Sequence, residues 1–277
     1  LASYPKSGNT WVRAIISSLL FSEDGNFNFS LIKNILQFPD LGLFRRLGVD
    51  VKNEKEVIKN YVKVQESINV KKSVQFFKTH SYLFNIENNP FTDLNNSLGV
   101  VYIVRDPRNV LDSMSRHFQI DYEKALDVMQ DQNNFTYDFK KKNDYSDYQF
   151  ISSWEKNYQS WKNNNLIPVK FLKYEDLLKE TFLVFKEIIK FINEISNNKE
   201  GFSREKAKNA VSSTSFENLK KIEENQGFNE GIVARENKKK IPFFNLGPKN
   251  EWKKNFDSEF IDRLNNIFEK NLIELNY

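Results

Sequence analysis

Tyr4-Pro5-Lys6-Ser7-Gly8-Asn9-Thr10-Trp11 lies between a short run, Leu1-Ala2-Ser3-Tyr4, and a segment of helical apolar spacing, Val12 to Phe21. The first run reads as the end of a strand and the second as a buried helix. A loop of small and hydroxyl residues at this junction is a ready anion site, because free backbone N–H groups and the positive end of the helix dipole converge there. Lys6 adds a mobile point charge, Ser7 and Thr10 add hydroxyl donors, and Gly8 and Asn9 complete the turn. The ATP loop G-x-x-x-x-G-K-[ST] is a different pattern: here the lysine precedes the glycine and the first glycine is missing. Taken alone, a Lys-Ser-Gly triplet also fits an ordinary strand-to-helix turn.

The chain has 277 residues, with no Gly/Pro/Ser-rich linker and no internal repeat, so one domain over 1–277 is expected. Forty-one basic residues against thirty-seven acidic ones leave a net charge of +4. The charges are interspersed, which is no nucleic-acid footprint but leaves room for a local basic site for an anionic cofactor. Without cysteine there is neither a disulfide nor a thiolate nucleophile, and with His80 and His117 as the two histidines a His-built metal site is not expected. No run approaches the roughly 20 apolar residues of a membrane span. No signal peptide is visible, and a cytoplasmic location is expected. The chain opens inside a strand-like run without Met, so it is expected to lack a few N-terminal residues, including any leader.

Further strands are expected at Ser73–Lys78, ending at Thr79-His80, at Gly99–Val104, stopped by Arg105-Asp106-Pro107, and at Pro168–Tyr174. The continuous apolar run of the second suits a parallel sheet covered on both faces. Pro107 suits the first turn of a helix through Phe118. Helix-like patterns also cover 52–68, the Trp154 and Trp161 region, 175–193 and 258–275. Residues 22–50 read as loop-rich, 119–150 as a surface loop or lid, and 225–250 as a mobile tail. Strands alternating with helices give an α/β fold, a central parallel sheet flanked by helices.

In such sheets ligands gather beyond the carboxyl ends of the strands. Three marked groups end strands here: the Lys6 loop, Lys78-Thr79-His80, and Arg105. Imidazole has an unperturbed pKa suited to a general base, so His80 is a candidate, with His117 competing from the next helix. Arg105 and Ser113 stand eight residues apart, and a guanidinium fork with a hydroxyl suits a phosphate.

The Pro-Lys-Ser-Gly-Asn-Thr-Trp string resembles the 5′-phosphosulfate loop of the PAPS-dependent sulfotransferases, where PAPS is 3′-phosphoadenosine-5′-phosphosulfate. Four further matches follow in order: Lys78-Thr79-His80, Arg105…Ser113, Thr214-Ser215-Phe216, and Gly247…Trp252-Lys253. The resemblance spans nearly the whole chain and implies the fold related to nucleotide kinases. It implies His80 as base, Lys6 on the leaving 5′-phosphate, Lys78 at the sulfuryl oxygens, and Arg105 with Ser113 on the 3′-phosphate. It also implies Tyr174 near the adenine, Thr214 bonding the base, and Phe216 and Trp11 stacking on either side of it. Sulfuryl transfer to a hydroxyl or amine of a small-molecule, lipid or carbohydrate acceptor, releasing adenosine 3′,5′-bisphosphate (PAP), is the implied reaction, with no metal. The alternatives are a non-catalytic PAP-binding protein and an ATP-dependent kinase.

The C-terminal cofactor motif departs from the family's Arg-Lys-Gly. Asn245 and Leu246 stand where Arg and Lys are expected, ahead of Gly247. Lys249, or Arg235 with Lys238-Lys239-Lys240, are the candidate substitutes. The family's dimerisation pattern is missing too, with Asp257-Ser258 in place of Thr-Val, so the pattern does not decide dimerisation. An acceptor pocket is expected from 22–50, 76–90 and 119–150, with Phe38, Phe44, Tyr82, Phe84, Tyr137, Phe139 and Tyr148 as its aromatics.

Overall fold

A five-residue strand, Val100–Val104, is buried at every position and organises the molecule. Side chains alternate across a strand. Val100, Tyr102 and Val104 therefore enter one apolar core, while Val101 and Ile103 enter another on the opposite face. The computed structural model describes all residues except 70–72, 137–143, 200, 229, 234–238 and the side chain of Leu41. Its central strands are β1 (Ala2–Ser3), β2 (Leu36–Gln37), β3 (Phe77–Lys78), β4 (Val100–Val104) and β5 (Val169–Lys173). β1 pairs parallel with β4, β4 with β5, and β2 with β3. A parallel bridge between Ala2 and Thr79 joins the two sets in the order β2-β3-β1-β4-β5. The single α/β domain with a central parallel sheet and flanking helices is thus as expected.

Helix α1 (Asn9–Phe21) buries Val12, Ile15, Ile16 and Leu19 against Phe185 and Ile188. Each such side chain contributes roughly 1.5–3 kcal/mol as an upper figure. Helix α2 (Pro107–Phe118) begins as expected, with Pro107 in its first turn and the Asp106 carboxylate accepting from Arg108 N at 2.9 Å. Because β1, β3 and β4 run parallel, Tyr4–Lys6, Thr79–His80 and Arg105 all leave the sheet at the same edge.

Several segments differ from the sequence expectation. Residues 52–68 form two helices, Glu54–Lys59 and Tyr61–Ile68, divided at Asn60. Residues 175–193 likewise divide at Glu180 into Tyr174–Lys179 and Thr181–Ser196. Only Phe77–Lys78 of the run from Ser73 pairs as strand. Within 119–150, expected as loop, Tyr122–Gln130 is a helix capped by Asp121 that buries Ala125, Leu126 and Met129. Its apolar stripe is only two turns long, too short to stand out from the polar sequence around it. Phe135–Thr136 and Gln149–Phe150 then pair antiparallel. In the tail, Ile232–Val233 pairs with Lys240–Ile241, and Phe244 is buried. Phe38, Phe44 and Phe84 belong to the core, where they pack around Tyr61, and Phe38 also lines a second cavity beside the Phe77–Lys78 strand. Tyr137, Phe139, Arg235 and Lys238 lie outside the described residues.

Candidate active site

The loop before α1 turns through two left-handed residues, Lys6 (φ 66°) and Gly8 (φ 101°). A Cβ at Gly8 would stand 2.5 Å from the Tyr174 ring, so close approach as well as φ requires glycine there. No side chain among the described residues caps α1, and its first turn holds no acid. Capping side chains do serve the helices starting at Pro107, Tyr122 and Ser258. The N-terminus of α1 therefore keeps its donors for something else.

Those donors open into a cavity of about 350 Å³. Lys6, Gly8, Asn9, Thr10, Trp11, Lys78, His80, Arg105, Ser113, Tyr174, Phe216 and Gly247 all line it. Lys6 Nζ lies 4.4 Å from the Phe243 ring centre, and burial followed by the Arg105 charge lowers its pKa to about 8. Arg105 donates from Nη1 to the Lys6 carbonyl at 3.0 Å and stacks 4.3 Å from the Tyr174 ring, while its buried Nε has no protein partner. Trp11 crosses Tyr174 edge-on at 5.8 Å and donates to the Thr214 carbonyl at 2.9 Å. A Cβ at Gly247 would stand 2.1 Å from the Phe216 ring, so this glycine lets the C-terminal loop close on that aromatic.

His80 is held on three sides. Its N–H donates to Gln149 Oε1 at 2.8 Å, its carbonyl accepts from Asn157 Nδ2 at 2.9 Å, and its ring Nδ1 lies 2.9 Å from the Ser3 carbonyl. A carbonyl only accepts, so Nδ1 carries the hydrogen and Nε2 keeps its lone pair. Asn9 Nδ2 donates to Ser3 Oγ at 3.3 Å, which ties the anion loop to the residue that orients His80. Burial, then Lys78, push the His80 pKa down to about 4, leaving the ring neutral at pH 7. His117 also lines the cavity, with its pKa lowered to about 4 by burial and then Lys6. Its ring packs edge-on to Phe118 and Phe243, at 5.0 and 6.0 Å between centres.

Three sequence candidates stand elsewhere. Thr214 is fully buried outside the cavity wall, its hydroxyl donating to the Ala210 carbonyl at 2.6 Å, so it places Trp11 and does not face a base. Ser7 is also fully buried, with its hydroxyl unpartnered. Lys249 is exposed and lies outside the wall, because its side chain follows a 3-10 turn (Gly247–Lys249) that carries it to solvent. Tyr82 and Tyr148 line no part of this cavity either. At the former dimer pattern, Asp257 is used locally as the cap of the Ser258–Leu275 helix.

Two charged wall residues were not found from the sequence. Glu230 accepts from Thr10 Oγ1 at 3.1 Å, Arg13 Nη1 at 2.7 Å and Lys78 Nζ at 3.0 Å. Burial would raise its pKa, but Lys78 and Arg13 outweigh that and hold it at about 2. Arg116 lines the wall beside Ser113. Neither residue has a local motif. Among the described wall residues Glu230 is the one carboxylate, set against four lysine and arginine side chains. This cationic wall, with an uncapped helix end, fits an anionic nucleotide. The groups that form candidate metal clusters (three or more His, Cys, Asp or Glu) are not found together among the described residues.

The family profile for the sulfotransferase domain matches residues 1–276, and the chain belongs to that family. It is 26% identical over 293 residues to flavonol 3-sulfotransferase of Flaveria bidentis, covering 98% of this chain and 80% of that protein. Human sulfotransferase 1E1 is 26% identical over 278 residues, covering 99% and 83%. Among solved structures, mouse sulfotransferase SULT7A1 complexed with PAP matches at a TM-score of 0.57 and 18% identity, over 98% of this chain and 82% of that one. Retinol dehydratase in complex with androsterone and inactive cofactor PAP matches at 0.53 and 19%, over 98% and 79%. At these identities the structural likeness shows the fold.

Proposed function

We propose that this protein moves a sulfuryl group from PAPS to a hydroxyl or amine of an acceptor and releases PAP. The observation that carries the reading is one cavity that gathers the uncapped N-terminus of α1, Lys6, Lys78, His80, Arg105 and Ser113. Two fold neighbours were solved in complex with PAP, which supports the same nucleotide here. PAPS supplies an activated sulfuryl group whose bond to the 5′-phosphate oxygen breaks as the acceptor oxygen or nitrogen bonds to sulfur. The α1 N–H groups and Thr10 hold the 5′-phosphate, and Lys6 balances the charge that grows on it. Lys78 neutralises the sulfuryl oxygens. His80, with Nδ1 fixed on Ser3, takes the acceptor proton at Nε2. Arg105 and Ser113 hold the 3′-phosphate, and Trp11, Tyr174 and Phe216 enclose the adenine. No metal has a role in this scheme.

The relatives named for flavonol, luciferin and amine substrates support a small-molecule acceptor, with a lipid or carbohydrate hydroxyl as the wider class. No helix among the described residues is long and apolar enough to cross a membrane. The test follows labelled sulfuryl from PAPS into a panel of phenols, alcohols, sugars and amines. Transfer by the wild type that falls at least a hundredfold in His80→Ala is expected. PAP binding without transfer to any member of the panel would favour the non-catalytic reading.

A further inference from the structure

Arg116 stands where the C-terminal loop meets α2, in the same wall as Arg105 and Ser113. It pairs with the fully buried Asp112 through Nη2, and the same nitrogen donates to Asn250 Oδ1 at 2.5 Å. Asn250 in turn donates to the Asn109 carbonyl at 3.2 Å, so the loop that carries Asn245, Leu246 and Gly247 is fastened to α2 next to this guanidinium. A guanidinium has donors at Nε, Nη1 and Nη2. Both protein contacts fall on Nη2, so the Nε and Nη1 donors lie outside them. Burial lowers the pKa of Arg116, and Arg105 is near enough to lower it further, as expected of two cations that face one site. Lys249 is exposed and outside the wall.

We propose that Arg116 is a binding residue for the 3′-phosphate and supplies, from α2, the cationic fork that Asn245 and Leu246 do not provide from the C-terminal loop. Asp112 and Asn250 fix the fork in place, so that little side-chain entropy is lost when a phosphate arrives. This rests on the PAP reading of the cavity and names a residue that the family motifs do not mark.

The test compares PAP with AMP, which differ by the 3′-phosphate alone, by titration calorimetry. Asp112→Asn with Arg116→Gln removes the fork without stranding the buried carboxylate. Arg116→Lys keeps Asp112 paired and replaces the fork by a point charge, so it serves if the double variant melts early. Wild-type preference for PAP over AMP is expected to fall about tenfold in the double variant, equivalent to about 1.4 kcal/mol. A loss of about threefold is expected in Arg116→Lys, with AMP affinity kept in both. Lys249→Ala should leave the preference unchanged. A wild-type preference that survives both Arg116 changes, or is lost in Lys249→Ala, overturns the assignment to Arg116 alone. Equal wild-type affinity for PAP and AMP overturns the 3′-phosphate reading itself.

Discussion

Glu230 Oε1 lies 3.0 Å from Lys78 Nζ, and its other carboxylate oxygen accepts from Thr10 Oγ1 at 3.1 Å. The donors that the proposed mechanism gives to the 5′-phosphosulfate are therefore shared with an anion of the chain itself. Two anions about 4 Å apart repel by roughly 1–4 kcal/mol between aqueous and near-surface dielectric conditions. Glu230→Gln keeps the shape and removes the charge, so PAP should bind at least about fivefold tighter, and the gain should shrink with salt. Calorimetry at two ionic strengths measures it. Weaker PAP binding in the variant would mean that Glu230 organises the site and does not compete for it.

The same carboxylate sets an acid limit. Its pKa is held at about 2, below the ordinary 4.5 of a glutamate. A depressed carboxylate contributes stability that is fully present above pH 4.5 and is lost as pH falls toward 2. Thermal melting of the ligand-free protein should therefore decline over that window, and Glu230→Gln should decline less there. Parallel curves for the two proteins would contradict the pairing with Lys78 and Arg13.

His80 is the proposed base, and its neutral state is a consequence of burial and of Lys78. His80→Ala should lower turnover by about 10²–10⁴-fold with PAP affinity nearly intact, and His117→Ala should be much milder. Lys78→Met removes a neighbouring cation, so the His80 pKa should rise from about 4 toward its ordinary 6.5, read by NMR titration of the ring. A reversed order of the two histidine effects would assign the proton to His117.

The parts of the fold that were legible are those whose signals are local. The Val100–Val104 run, Pro107 after Asp106, and the Lys6 loop each carry their structural cause within a few residues. Gly8 and Gly247 were placed by motif, and their reasons are specific: each makes room for one aromatic, Tyr174 and Phe216. Glu230 was illegible because its partner Thr10 is 220 residues away, and nothing near Glu230 in sequence marks it. Arg116 was passed over because no motif marks it, while Ser113 on the same face carries the motif match and His117 beside it is the competing histidine. Thr214 was misplaced for a different reason. The motif located the residue, but the hydroxyl is used by the turn behind it and only its carbonyl reaches Trp11. Phe38, Phe44 and Phe84 went to the core because each buries a large apolar surface against Tyr61.

Asn245 and Leu246 line the cavity without bringing charge to it. Asn245→Arg with Leu246→Lys should tighten PAP binding by severalfold, with the gain reduced at high salt, because added charge near a surface is screened. Titrations at low and high salt read both parts. Unchanged affinity at low salt would show that the loop backs no phosphate.

The central claim is that this cavity takes a nucleotide phosphorylated at the 3′ position. PAP and ADP carry the same number of phosphate groups and differ in where the second one sits. Their affinities, measured side by side on the wild type and on Arg105→Ala, test the claim most directly. PAP is expected to bind at least about tenfold tighter than ADP, and Arg105→Ala should remove most of that difference, since a charged hydrogen bond of roughly 1.5–3 kcal/mol is lost. Equal affinities for PAP and ADP in the wild type would contradict the account.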